Sequence, residues 1–133
     1  MKIIRLKKGD EILSGITKKL EAMGTKCGVV LGLGALSFAE IMNYNLKNKR
    51  FSSKKIEGAL EIGSFTAVIS RGTDSKIALH PHIVISDNKF KTFAGHLKKG
   101  IVSATFEAVI FESNESISRY FDSKIGLNLL KLD

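Results

Sequence analysis

The chain has 133 residues, of which 21 are Lys or Arg and 13 are Asp or Glu, so its formal net charge is +8 at pH 7. This length suits one domain and excludes a cofactor domain joined to a separate substrate domain. The 44% of hydrophobic and 26% of charged residues are typical of a globular protein and exclude a disordered tail. The single cysteine, Cys27, excludes an intramolecular disulfide framework and a zinc site built from several thiolates.

Membrane and export signals are missing from the sequence. The longest uncharged, mostly apolar run, residues 27–39, is shorter than the roughly 18 residues that a membrane-spanning helix needs. Residues 1–8 carry charges without the apolar segment of a signal peptide. We therefore expect a soluble, cytoplasmic protein with a single domain over residues 1–133.

The first predicted element is an amphipathic helix over Asp10–Met23. Asp10 can cap its N-terminus, and Gly24 can end it. Its apolar residues recur at steps of three and four, which places them on one face: Leu13, Ile16, Leu20 and Met23.

Most of the remaining chain is typical of β-strands. The apolar run Cys27–Leu31, bounded by glycines, predicts a buried strand, and Ala35–Tyr44 is a second apolar stretch. A basic loop over residues 45–55 follows. Beyond it, segments rich in Val, Ile, Phe and Thr predict further strands: Ala59–Ser70, Ile77–Ser86, Phe90–Phe93 and Ile101–Glu112.

The C-terminal part predicts a helix over Ser116–Ser123 and an apolar patch over Leu127–Leu130. One helix followed by a run of strands favours an α+β fold, a compact single domain with a central, mostly antiparallel β-sheet and an N-terminal amphipathic helix.

Basic side chains concentrate near the N-terminus, in the loop after Tyr44 and in the segment around His96. Such clusters suit the phosphate backbone of DNA or another polyanion, because each neutralised phosphate releases counterions. The alternative is a solvated lysine surface that keeps the protein in solution. The candidate nucleic-acid residues are those of the loop, which contains no acid among them: Lys47, Lys49, Arg50, Lys54 and Lys55.

All three histidines lie between positions 80 and 96. His80 and His82 are two residues apart on a predicted strand and therefore share a face. An odd-numbered turn or a bulge near Gly95 would bring His96 beside His80, whereas an even-numbered turn would direct it to the other face. Three imidazoles and one water form an open zinc site. The alternative is a set of hydrogen-bonded histidines without a metal.

Other signals in the chain are weaker. Gly32 and Gly34 approach a dinucleotide-binding fingerprint, but Ser37 replaces its third glycine and the chain is too short for that architecture. Cys27 is best interpreted as a small core residue. Glu61 and Glu107 lie within apolar strand-like runs, either facing solvent or assisting the histidines as proton-transfer partners, with Gly95 as a further neighbour of the site.

Four segments together resemble the PPC domain, named for its conservation in plants and prokaryotes. They are the Glu61 segment Gly58–Ser64, the histidine strand Leu79–Asp87, the turn Ala94–Leu97 and the strand Thr105–Ile110. Looser similarity covers nearly the whole chain. Ala94 departs from the family's pattern, where a glycine is usual, and so does Pro81, where an aliphatic residue is usual.

The resemblance implies an α+β domain with an antiparallel sheet that assembles as a homotrimer. Plant relatives carry a preceding AT-hook that binds DNA, and no such segment is found in this sequence. Prokaryotic relatives resemble zinc-dependent acetolactate decarboxylases in fold, which favours His80, His82 and His96 as metal ligands.

Three hypotheses follow. The first is a homotrimeric binding or assembly module, DNA-associated through its basic loops. The second is a small enzyme, lyase-like or hydrolase-like, that uses zinc or another divalent metal. The third is a scaffold for a protein partner in which the histidines hold no metal.

Overall fold

The computed structural model describes residues 1–132, which contain one helix and seven strands. The elements are, in chain order, β1 (Lys2–Lys7), α1 (Ile12–Ala22), β2 (Cys27–Asn45), β3 (Arg50–Arg71), β4 (Ile77–Ser86), β5 (Thr92–Ser113), β6 (Ser118–Asp122) and β7 (Leu127–Lys131). No helix within residues 1–132 is long and apolar enough to cross a membrane.

All seven strands belong to one sheet, with the order β1-β5-β2-β3-β6-β7, and β4 pairs with both β3 and β5. Every ladder is antiparallel except the single parallel pairing of Arg71 with Ser118. Because β5 pairs first with β4 and then with β2, the strands β2, β3, β4 and β5 close a ring of pairings. The predicted α+β class with a mostly antiparallel sheet is confirmed.

The core lies between α1 and one face of this sheet. Ile16 and Leu20 of α1 are fully buried, as the helical spacing predicts. The predicted Leu13 and Met23 are only partly buried, and Ile12, which was not predicted, is fully buried. In the sheet, the rings of Phe65 and Phe106 meet edge to face with their centroids 5.2 Å apart. Gly32 makes room for this contact, since a Cβ there would lie 2.6 Å from the Phe106 ring.

Helix α1 begins at a different residue from the one predicted. Glu11, not Asp10, is the N-cap, and its carboxylate accepts hydrogen bonds from the amides of Leu13 and Ser14 at 3.1 and 2.8 Å. The Asp10 carboxylate instead accepts from the amide of Lys7. Gly24 has φ = 67° directly after the C-cap, as expected of a helix-ending glycine.

The strands are longer than predicted. The two segments predicted within residues 27–44 form one strand, β2, whose irregularities at Gly32/Gly34 and Leu36/Phe38 absorb the change of pattern. The basic loop is reduced to a four-residue turn, because Arg50 already belongs to β3. Strand β5 likewise joins two predicted segments.

The predicted helix over Ser116–Ser123 is wrong. Ser118–Asp122 forms β6, which pairs with β7 in a C-terminal hairpin, and the amide of Arg71 anchors this hairpin by donating to the Ile117 carbonyl at 2.8 Å. Strand β1 was not predicted, although Ile4 and Leu6 are buried in the alternating pattern of a half-buried strand.

Candidate metal centre

Two strands bring the three histidines together. His80 and His82 project from β4, and His96 projects from β5 directly opposite His82. His82 also pairs with Thr66 of β3, which pairs with Leu31 of β2. Residues that pair directly across a sheet share a face, so the histidines lie on the outer side of the sheet, away from α1.

The turn between β4 and β5 sets this register. It has five residues, 87–91, so an odd number places His96 on the face of His80 and His82, as the odd-turn alternative requires. The partner directly opposite His96 is His82 and not His80, and no bulge interrupts the ladder. The Asp87 carboxylate holds the turn by accepting from the amides of Lys89 and Lys91 at 2.9 and 3.0 Å.

The three imidazoles fit a metal ion. One ring nitrogen from each histidine lies within 4.8 Å of the other two. Nitrogen ligands of tetrahedral zinc are about 3.4 Å apart. Side-chain rotations that move these nitrogens by about 1 Å would therefore bring them to bonding positions. The ring centroids are 5.1, 5.4 and 5.5 Å apart, which leaves space for an ion between the rings.

The surroundings lower the pKa of two of the three imidazoles, those of His80 and His96. Burial, followed by the charges of His80, His82 and Arg119, lowers the pKa of His96 to about 4. Burial also lowers the pKa of His80, with smaller contributions from His82 and Arg119. A neutral imidazole is the form that binds a metal ion, so the lowered pKa values favour the metal-binding form of His80 and His96 at neutral pH.

The histidines lie at one end of an open cleft of about 640 Å³. Its walls come from the ends of β2 and β3, from β4 and from the C-terminal hairpin. Most of the lining is apolar or aromatic, and none of the lining residues in the described part of the chain is acidic. The residues that line it besides the histidines include Met42, Tyr44, Phe51, Arg119, Leu127, Asn128, Leu129 and Leu130.

Gly95 and Pro81 are neighbours of the histidines in the chain, and each affects the backbone of its strand. A Cβ at Gly95 would lie 2.8 Å from the Met42 carbonyl oxygen, so glycine lets β5 approach β2 immediately before His96. Pro81 lies one residue beyond the last pairing of β4 with β5, at His82. Its missing amide hydrogen is therefore tolerated there.

The structure does not bring the two glutamates to the histidines. Glu61 is exposed and pairs with Ser86, four residues or about 13 Å along β4 from His82. Glu107 is exposed eleven residues beyond His96 on β5, pairs with Arg5 and accepts a hydrogen bond from the Thr105 hydroxyl.

Sequence reasoning missed three cleft residues, which reach the site from distant segments. Tyr44 and Phe51 belong to the ends of β2 and β3, and the Phe51 ring lies 6.0 Å from that of His96. Arg119 comes from the segment predicted as a helix. No local motif marks these residues, because long-range pairing alone places them beside the histidines.

The five candidate nucleic-acid residues are all exposed at the far end of the β2–β3 pair, which we call the basic hairpin (residues 45–55). Two of them contact the protein itself. The Lys49 ammonium donates to the Ser123 carbonyl at 2.8 Å, and that of Lys54 lies 4.9 Å from the centroid of the Phe93 ring.

Comparisons with known structures agree with this fold. A protein from Bacteroides thetaiotaomicron, provisionally described as DNA-binding, is 27% identical over 97% of this chain and 90% of its own, with a TM-score of 0.93. A metal-containing protein from Archaeoglobus fulgidus is 29% identical over 98% and 92% of the two chains, with a TM-score of 0.90.

A plant- and prokaryote-conserved (PPC) protein from Pyrococcus horikoshii is 23% identical over 98% of this chain and 90% of its own, with a TM-score of 0.90, and shares the fold. Comparison with curated proteins gives no significant match. The family model of the Plants and Prokaryotes Conserved (PCC) domain matches residues 1–114, which include the three histidines and all of β1 to β5. The chain therefore belongs to the Plants and Prokaryotes Conserved domain family.

Proposed function

We propose that this protein is a homotrimeric binding module that holds zinc or a similar divalent metal through His80, His82 and His96. The observation that carries the proposal is the convergence of one ring nitrogen from each histidine within 4.8 Å. The similar protein from Archaeoglobus fulgidus, described as metal-containing, supports it.

A metal held by three protein ligands keeps a position open for an external ligand, which it polarises as a Lewis acid. This chain's contribution is to present three converging imidazoles in a mostly apolar cleft. Within residues 1–132, the lining of that cleft offers no carboxylate for proton transfer, so a zinc-dependent enzyme, the alternative to the binding module, would depend on the metal alone.

Zinc titration of the metal-free protein tests the site. We expect one zinc per chain and a loss of affinity of at least about 100-fold in His96→Ala, since a whole ligand is removed. Glu61→Gln and Glu107→Gln, which change carboxylates remote from the cleft, serve as controls and should bind zinc as the unchanged protein does. Equal zinc affinity in His96→Ala and the unchanged protein would refute the site.

The homotrimer has support in the outer face of the sheet. Ile3, Leu31, Leu33 and Phe111 are 74, 43, 57 and 46% exposed. The register places all four on the same face. Ile3 and Leu31 both pair with Val109, Leu33 lies two residues after Leu31 on β2, and Phe111 lies two residues after Val109 on β5. Large exposed apolar patches mark interfaces, and this one adjoins the row that leads through Thr66 to His82.

Sedimentation or light scattering can test the assembly. We expect the unchanged protein to have three times the mass of one chain and Leu33→Glu to dissociate, because it would bury a charge in the interface. Phe90→Glu changes an 88% exposed residue on the β4–β5 turn and is the matched control that should leave the mass unchanged. A monomeric unchanged protein would contradict the proposal.

A second candidate function is association with DNA through the basic hairpin. The similar protein from Bacteroides thetaiotaomicron, provisionally described as DNA-binding, favours it, and so does the exposure of Lys47, Arg50 and Lys55. In a trimer three such hairpins would add their weak phosphate contacts. DNA affinity that does not change between about 50 and 200 mM salt would contradict this electrostatic contact.

A further inference from the structure

Arg119 is held beside the histidines by the C-terminal hairpin, outside the residues that the family model matches. Its Nε donates to the Ser70 hydroxyl at 2.8 Å, and its Nη1 donates to the Asn128 carbonyl at 2.9 Å. Its Nη2 is buried and has no hydrogen-bond partner in the described part of the chain. A guanidinium nitrogen that has lost water without gaining an acceptor is energetically costly.

The charge of the side chains that line the cleft within residues 1–132 is of one sign, positive. Arg119 is the only Lys, Arg, Asp or Glu among the residues of 1–132 that line it. Loading with a divalent metal would raise the local charge to +3, and no acidic side chain among the lining residues of 1–132 would balance it. A negative ligand would balance this charge, because unbalanced charge in a partly apolar cleft is unfavourable.

The other residues that line the cleft indicate the chemical character of the rest of that ligand. Tyr44, Phe51, Leu127 and Leu129 present aromatic and aliphatic surface. The Tyr44 hydroxyl is already engaged, since it donates to the Ile125 carbonyl at 2.7 Å. Beyond the metal and Arg119, the cleft therefore favours an apolar group of modest size.

We propose that the cleft binds a small carboxylate with an apolar body, whose oxygens lie between the three-histidine metal and the guanidinium of Arg119. The inference rests on the proposed metal site and adds the ligand class to it. The carboxylate would pair with the guanidinium where Arg119 lines the cleft, and its apolar body would lie against the leucines of β7. Arg119 is then a ligand-binding residue that the C-terminal hairpin adds to the domain.

Cobalt(II) is the probe for the test, because its visible absorption reports both its binding and any change in its ligands. The protein is first titrated with Co²⁺ and the loaded form is then titrated with isobutyrate or with isobutyramide, which has the same shape without the charge. We expect isobutyrate to change the spectrum in a saturable way and isobutyramide to bind at least about tenfold more weakly. This comparison needs no substitution and is independent of how variants fold.

Three variants then assign the effect to Arg119. Arg119→Gln removes the charge and should weaken isobutyrate binding at least about tenfold while Co²⁺ still binds. Arg119→Lys keeps the charge and should lose less affinity. Arg5→Gln makes the same charge change on exposed β1 and should behave as the unchanged protein.

The two titrations separate the possible failures. If Co²⁺ does not bind, the proposed metal site is wrong, and the carboxylate site fails with it. If Co²⁺ binds and isobutyrate leaves the spectrum unchanged, or binds no better than isobutyramide, the metal site stands and the carboxylate inference is overturned. Equal isobutyrate affinity in Arg119→Gln, Arg5→Gln and the unchanged protein would also overturn it.

Discussion

The histidine cleft and the basic hairpin are both marked by clustered residues in the sequence, but the structure builds them differently. The histidines come from two strands and converge within 4.8 Å, and burial lowers the pKa of His80 and His96. The lysines of the hairpin are exposed, and their side chains point into solvent or contact the protein itself, as Lys49 does with Ser123.

This difference separates a binding site from a charged surface. In the cleft, register, burial and the charge of Arg119 all favour a specific ligand. On the basic hairpin, charge alone favours association, and charge in solvent gives weak contacts that salt screens. Substitutions can separate the two regions, beginning with the change that should have the largest effect.

Gly95→Ala should damage the cleft most. The added Cβ would lie 2.8 Å from the Met42 carbonyl oxygen, so β5 must move away from β2 at the residue before His96. We expect a loss of about 1–3 kcal/mol in the free energy of unfolding and at least about tenfold weaker zinc binding. Denaturant unfolding and zinc titration measure the two effects.

Gly63→Ala is the matched control for this change. Gly63 also lies in a strand, but the nearest atom to its added Cβ would be 3.8 Å away, at the Val84 carbonyl. Its zinc affinity should stay unchanged. If Gly95→Ala matched it in both measurements, the close approach of β5 to β2 would not position His96.

Charge removal on the basic hairpin should weaken DNA binding without changing the affinity for zinc. A variant with Lys47, Lys54 and Lys55 changed to Gln should bind DNA more weakly. The slope of log affinity against log salt should become shallower by about 0.9 for each phosphate that the variant no longer neutralises. Fluorescence anisotropy over a range of salt concentrations measures that slope. Zinc affinity should be the same as in the unchanged protein.

The control removes three lysines elsewhere, at positions 7, 8 and 18. An equal loss of DNA affinity in both triple variants would mean that net charge, and not the hairpin, attracts DNA. A loss of zinc affinity in the hairpin variant would break the proposed independence of the two regions.

Acid should destabilise the metal-free protein because His96 in the cleft resists protonation in the folded chain. This is the smallest effect we predict. His96 faces His80, His82 and Arg119, and its pKa is about 4 in the folded chain against about 6.5 when unfolded. Between these values the unfolded chain binds more protons, so stability is full above pH 6.5 and decreases towards pH 4. His96→Gln should show a smaller fall in melting temperature between pH 7 and pH 5, and an equal fall would contradict the assignment.

Local pattern was enough to predict the core side of the fold. Ile16 and Leu20 recur at helical spacing, and the strand segments alternate, so α1 and much of the sheet follow from periodicity. The limits of the strands did not follow, because irregularities at Gly32 and Leu36 let β2 continue where the pattern changes. The C-terminal hairpin was predicted as a helix because its pairing, and not its local sequence, decides its structure.

The site, like the fold, could be predicted only in part from the sequence. The spacing of His80 and His82 placed them on one face, whereas the position of His96 depended on a five-residue turn whose length the sequence left open. Arg119 could not be found at all, since it reaches the cleft only through the docking of β6 beside β3. A search for a second cationic group near clustered histidines would need the fold in advance.

X-ray absorption on the zinc-loaded protein tests the central claim most directly. If His80, His82 and His96 hold the metal, the spectrum will show three imidazole nitrogens at about 2.0–2.1 Å and one further ligand that is not imidazole. A protein that takes up no zinc, or zinc with fewer than three imidazole ligands, would contradict the account.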